Sequence, residues 1–330
     1  MSLRFKLNTP LNPHAPETSK LEELQKSFLE TINREDIGFY HLTDKGHFID
    51  KTLNVCEKIK HKKNFIQIGI GGSALGPQLL VSSLSKSKDK NFYLIDNTDS
   101  DYISDILDGI DIQDSIFYVV SKSGGTAETI AGFITVRNLL LAKGISESNI
   151  GEFFIFCTDP ENGQLRKYVN QHQYTSLEIP SNIGGRFSIL TPVGLLPAAF
   201  MGVNIKELYE GANEIKQEIE NTSLDENSLF LLSEKILSLK ESLPQTVFMP
   251  YSSKLKDLSA WFIQLWAESL GKNGKGLTPI PAYGATDQHS QMQLFMEGPN
   301  DKLIMLLHLE NKNENYSLDG FDELESAKKL

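Results

Sequence analysis

The chain has 330 residues, of which 40% are apolar and 23% charged, with a formal net charge of −11. That is enough for about two domains with sizeable cores, and the acidic balance excludes sequence-independent nucleic-acid binding, which needs a basic surface. Cys56 and Cys157 make neither a disulfide framework nor a metal-ligand pair, and every long apolar run is broken by Gly, Pro or charge. The expectation is a cytoplasmic protein with no signal peptide, membrane span or metal site.

Residues 1–45 read as an irregular arm plus a helix over 19–33, where Leu21, Leu24, Phe28 and Ile32 recur at helical spacing. A helix over about 47–60 leads to the short apolar run "NFIQIGIGG", and "SALGPQLLVSSL" follows as a helix. Strands are predicted at 91–96, 115–120, 151–159 and in "YTSLEIP", with helices in "DSDYISDILDG" and "TAETIAGFITVRNLLLAKG". Alternating strands and helices imply an α/β fold, an open parallel sheet with helices on both faces. The small apolar stretch 192–204 reads as a buried helix, and the polar helical stretch 205–243 as the passage to a second lobe. That lobe is expected to hold a strand at 245–251, a helix over about 254–271, the loop "GKNGKG", a helix in "DQHSQMQLFMEG" and a strand at 302–309. The predicted division is 1–45, 46–204 and 205–330.

Two glycine-rich turns carry the chemistry. In "IGIGGSALGP", Gly69, Gly71 and Ala74 fit a dinucleotide-binding pattern between a strand and a helix, with Asp96 ending the next strand. The second turn, "SKSGGTAET", argues for a different ligand. It too follows a strand and opens a helix, and it concentrates Ser121, Lys122, Ser123 and Thr126 there. A helix N-terminus presents unpaired N–H groups, and hydroxyls add hydrogen bonds for the terminal oxygens of a phosphate monoester. One cap needs one hydroxyl; several together point to a sugar phosphate, with one turn on the phosphate and the other near the sugar.

"GIGGSALGP", "SKSGGTAET", "GGRFSILTPVGL" and "GATDQHSQMQLFMEGP", in this order and spacing, resemble the glucose-6-phosphate isomerase family over about residues 40–310. The resemblance implies two SIS-type three-layer αβα lobes with mainly parallel sheets. It also implies a metal-free and cofactor-free aldose-ketose isomerase of glycolysis and gluconeogenesis that acts on a hexose 6-phosphate. Ser121, Lys122, Ser123 and Thr126 would then hold the phosphate, and Gly72, Ser73, Gly185 and Gln264 would line the sugar. Gly125 stands where family members usually have threonine, so one phosphate hydroxyl is lost.

Three catalytic roles follow from the same resemblance. Arg186 would steady the oxygens of a cis-enediolate; without the motif it reads as an ordinary interdomain ion pair. Glu268 shares a helical face with Trp261 and Leu265. Periodicity alone leaves it either a buried carboxylate whose raised pKa suits a base or a helix-end residue turned to solvent, and the resemblance makes it the base. His289, with Met292, Gln293 and Met296 on its face, reads by pattern as a core histidine. The resemblance makes it the ring-opening residue, delivered from the partner subunit of a homodimer. The family's C-terminal helical segment, with its substrate-contacting lysine, has no counterpart before Leu330. The second domain is therefore expected to be incomplete, and the chain to bind sugar phosphate but turn it over poorly. Two other functions fit parts of the pattern. A non-catalytic phosphosugar-binding module would use the second turn alone, and a nicotinamide dehydrogenase the first.

Overall fold

The computed structural model describes residues 17–309. The chain opens with α1 (Thr18–Ile32), a 3-10 turn at Phe39–His41, α2 (Leu42–Lys45) and α3 (His47–Ile59). It then alternates β1 (Asn64–Ile68), α4 (Leu75–Leu84), β2 (Asn91–Ile95), α5 (Ser100–Asp108), β3 (Ser115–Val120), α6 (Ala127–Ala142), β4 (Phe154–Thr158), α7 (Gln164–His172) and β5 (Ser176–Glu178). These strands form one parallel sheet in the order β2-β1-β3-β4-β5. Chain order reverses direction between β1 and β3. In open α/β sheets that reversal leaves a crevice at the C-terminal strand ends, where ligands bind.

Burial explains the strand sequences. Every residue of β1, β3 and β4 is buried, as expected for central parallel strands covered on both faces. One face packs Ile66, Phe117, Val119 and Phe156 against Phe133, Val136 and Leu140 of α6. The other packs Phe65, Tyr118 and Val120 against Val193, Leu196 and Phe200, which lie in α8 (Pro192–Phe200). Thr191 caps α8 by accepting from Val193 N–H at 3.3 Å.

Next come α9 (Ile205–Asn221) and α10 (Ser228–Leu239). Ile205 and Tyr209 of α9 are buried with Leu195 and Ala198 of α8, so α9 begins by packing on the first sheet's helices. Phe28 of α1 meets Phe230 of α10 edge-on at 5.7 Å. The chain continues through β6 (Gln245–Pro250), α11 (Lys256–Leu270), β7 (Thr278–Pro281), α12 (Met292–Glu297) and β8 (Lys302–Leu307). The second sheet is also parallel, in the order β7-β6-β8. Phe248 of β6 stacks on Phe262 of α11 at 4.3 Å. Val247 and Met249 point the other way in the strand pleat, toward Phe295 of α12. This sheet therefore also lies between helices, and the expected α/β class with mainly parallel sheets holds for both units.

Besides the single-turn α2, two elements have no counterpart in the expectations. Helix α7 is polar enough to read as a loop, yet Leu165 and Val169 anchor it in the core. Strand β7, "TPIP", carries two prolines, which ordinarily count against a strand; it lies at a sheet edge, where proline is tolerated. A third difference concerns the helix expected around His289. It is broken into a 3-10 turn, Thr286–His289, and the short α12. No helix among the described residues is long and apolar enough to cross a membrane.

Candidate active site

The two glycine turns flank the crevice left by the chain reversal, one after β1 and one after β3. Gln67, fully buried in β1, donates from Nε2 to the Ser73 carbonyl at 2.7 Å and so holds the first turn from below. Gly71 has φ +59, a conformation that favours glycine, and a Cβ there would lie 3.1 Å from Gln264 Nε2. Gly72 is more constrained. A Cβ on it would stand 2.2 Å from the Gly185 carbonyl oxygen and 2.7 Å from Arg186 N. The first turn and the Gly184–Arg186 turn therefore touch backbone to backbone. Ser188 Oγ donates to the Gly185 carbonyl at 2.7 Å and lies 3.4 Å from the Gly72 carbonyl oxygen.

The hydroxyl loop closes on itself. Thr126 Oγ1 lies 3.1 Å from Ser121 Oγ and 3.4 Å from Ser123 Oγ, and Gly125 N–H donates to Ser123 Oγ at 3.3 Å. Three hydroxyls and the N-terminus of α6 thus face one spot, as an anion seat requires. Gly124 has φ +65 and would place a Cβ 2.9 Å from Leu165 N, so α7 backs the loop. Lys122 behaves differently from its neighbours. Its ammonium donates to the Ser181 carbonyl at 2.7 Å, and burial lowers its pKa below the ordinary lysine value. The lysine therefore ties the hydroxyl loop to the segment that leads into Gly184–Arg186.

Arg186 lies against the end of α11. Its Nη1 donates to Glu268 Oε1 at 2.8 Å, and Gln264 Nε2 donates to Oε2 at 3.3 Å. Sequence spacing put Gln264 beside Glu268, one helical turn away. The desolvated carboxyl expected of Glu268 is not what the fold provides. Its side chain is 52% exposed, and it is charge-paired, because Arg186 reaches it across 82 positions of sequence. His289 does not join this group. It is exposed, and among the described residues no side-chain hydrogen bond or ion pair involves it.

The structure thus brings Arg186, Glu268 and Gln264 into direct contact and sets Gly72, Ser73 and Gly185 beside them. Ser121, Ser123 and Thr126 gather at the neighbouring strand end. Sequence reasoning missed Gln67, Ser188, Phe187 and Ser269. Only Gln67 left a signal, a lone polar residue inside an apolar strand. A cleft of about 440 Å3 lined by Ile130, Ile134, Arg137, Tyr168 and His172 lies elsewhere and includes none of these groups. No cluster of three or more His, Cys, Asp or Glu side chains suited to a metal ion occurs among the described residues.

A doubly wound parallel sheet with a hydroxyl-rich turn at its switch point belongs to a recognised fold class. At 16% identity and a TM-score of 0.53 over 82% of this chain and 70% of its own, a tagatose-6-phosphate ketose/aldose isomerase from Escherichia coli shares that SIS fold. A hypothetical protein from Thermus thermophilus, known from its crystal structure, is 34% identical with a TM-score of 0.86, covering 94% of this chain and 75% of that one. The glucose-6-phosphate isomerase of Rubrobacter xylanophilus is 36% identical over 323 residues, which is 93% of this chain and 74% of the relative. The profile of the family described as phosphoglucose isomerase matches residues 46–297. The chain belongs to the phosphoglucose isomerase family, and it is an enzyme of the isomerase class. It spans between 60% and 80% of the length of the curated relatives compared with it.

Proposed function

We propose that the chain interconverts glucose 6-phosphate and fructose 6-phosphate, and that the Arg186–Glu268 contact at the mouth of the first sheet is its reaction centre. That contact carries the reading: a carboxylate and a guanidinium meet at 2.8 Å where the Gly184–Arg186 turn packs against the glycine turn that follows β1. The phosphate sits among Ser121, Ser123 and Thr126, and the sugar runs along Gly72, Ser73 and Gly185. Lys122 serves the phosphate indirectly, through the loop it tethers. With the phosphate held, the reacting carbons are presented to Glu268 at high effective concentration.

Ring opening exposes a carbonyl at C1, which acidifies the proton at C2. Glu268 takes that proton, and the electron pair becomes the cis-enediolate. Arg186 faces the developing negative oxygens with a charge already in place. Glu268 then returns its proton to C1 while the hydroxyl proton on O2 passes to O1, which gives the ketose. One carbon is oxidised as its neighbour is reduced, so the reaction needs no external oxidant. His289 assists ring opening from a second copy of the chain in a homodimer. Its exposure, and the absence of a side-chain partner for it among the described residues, support that placement. The proposed setting is cytoplasmic sugar-phosphate metabolism, in glycolysis and gluconeogenesis.

The test is proton NMR on glucose 6-phosphate in deuterated water, with deuterium uptake at C2 as the readout. The full chain should incorporate deuterium, and Glu268→Gln should lose at least about a thousandfold in rate while retaining sugar-phosphate binding. Binding without turnover by the unmodified chain would favour the non-catalytic phosphosugar module instead.

A further inference from the structure

Arg186 meets more than the carboxylate. Its Nε–H donates to Ser269 Oγ at 2.8 Å while Nη1 donates to Glu268 Oε1 at 2.8 Å. The guanidinium carbon lies 4.4 Å over the Phe187 ring, which keeps the plane in place from the other side. Among the described residues, the second carboxylate oxygen, Oε2, receives only the amide of Gln264, at 3.3 Å. An arginine beside a half-exposed carboxylate commonly closes on it with two parallel bonds and engages both oxygens. Here the guanidinium gives one nitrogen to Glu268 and one to its sequence neighbour. Consecutive residues on a helix point about 100° apart, so Ser269 draws the guanidinium off the axis of the Glu268 carboxylate.

We propose that Ser269 is a positioning residue of this isomerase: its hydroxyl holds Arg186 so that the guanidinium grips one oxygen of Glu268 and leaves the other, which accepts the neutral Gln264 amide, to take the substrate's C2 proton. The role rests on Glu268 and Arg186 acting as described above. Without the hydroxyl, Nε–H loses its acceptor, and the guanidinium turns to clasp Oε1 and Oε2 together. Gln264 is then displaced, and both carboxylate oxygens are paired with the cation, which makes each a weaker proton acceptor. The phosphate seat lies on other elements and is untouched. The loss therefore falls on kcat rather than on KM, the signature of an interaction used in the reaction rather than in ground-state binding.

The experiment compares the full chain with Ser269→Ala and Ser269→Thr. In an NMR spectrum selective for arginine Nε–H groups, the Arg186 signal should exchange slowly with water in the unmodified chain. It should shift and exchange faster in Ser269→Ala, and return toward its original position in Ser269→Thr. In isomerase assays, Ser269→Ala should lower kcat about tenfold with KM changed less than about twofold, and Ser269→Thr should recover most of the loss. An unmoved Arg186 signal in Ser269→Ala, an unchanged kcat, or a loss confined to KM overturns the proposal. Absence of turnover in the unmodified chain sinks the proposed function instead. The Nε–H comparison then still decides whether Ser269 sets the guanidinium's orientation.

Discussion

The two sheets are built from the same alternation yet differ in depth of burial. In the first, β1, β3 and β4 contribute no exposed residue, and aromatic rings such as Phe133 and Phe156 interlock at 5.3 Å. In the second, Val247, Met249 and Ala282 alone form the buried apolar cluster among the described residues. Ile304 and Leu306 of β8 are 40% and 63% exposed, and α11 buries only Ser259. The site straddles this contrast. The anion seat and the glycine turns rest on the deeply packed sheet, whereas Glu268, Gln264 and Ser269 ride on a helix with a thin core of its own. Helix α11 is steadied from the first unit, by Gln78 Nε2 of α4 donating to Asp257 at 3.3 Å and by Ser83 Oγ of α4 donating to the Lys254 carbonyl at 2.5 Å. On the proposed function, anchoring the substrate and doing chemistry on it would fall to parts of unequal burial.

Mutations can break or sharpen this contrast. The largest effect is expected from Phe156→Ala, which removes a fully buried ring and should cost about 3–5 kcal/mol of global stability in denaturant unfolding. Met249→Ala should cost about 2 kcal/mol, and in hydrogen exchange its effect should be confined to amides of the second sheet and α11. Equal, molecule-wide losses from both variants would erase the distinction between the sheets. A smaller effect, on activity, follows from Gly72→Ala. The added methyl collides with the Gly185 carbonyl and pushes apart the turns on which the two halves of the site meet. A displacement of about 1 Å there should cost about a hundredfold in kcat/KM, and unimpaired turnover would show that the backbone contact does not align the groups. The smallest change should be a gain. Gly125 has a φ open to any residue and no atom within 4 Å of a Cβ, so Gly125→Thr can add a hydroxyl at the anion seat. Calorimetry with a hexose 6-phosphate should register about three- to tenfold tighter binding, worth about 1 kcal/mol for one net hydrogen bond. Weaker binding would mean that the loop has no room for the threonine.

Much of the first sheet was legible because its signals are local. "SIFYVV" is an uninterrupted apolar run that breaks into small hydroxylated residues, and the strand spans the predicted positions 115–120. Helix α7 and strand β7 were not legible, because their composition contradicts their state and tertiary packing overrides it. The site divides in the same way. Ser121, Ser123 and Thr126 advertise themselves by clustering within one turn. The Arg186–Glu268 pairing could not be read from spacing, since only the fold brings residues 82 positions apart into contact. The same long-range contact explains why a carboxylate on a mostly apolar helix needs no burial: its partner arrives from another element. Lys122 is the reverse case, a cation in the right motif whose ammonium the fold directs to a backbone carbonyl.

That diverted ammonium has a consequence for how the site responds to dissolved ions. With Arg186 neutralised by Glu268, and Lys122 still charged but held to the Ser181 carbonyl, a dianionic ligand of the proposed kind would reach its seat against the field of a chain carrying −11. Added electrolyte shortens the range of that repulsion. Capture of the phosphate should therefore quicken as ionic strength rises, the opposite of sites that draw their anions in with lysines and arginines.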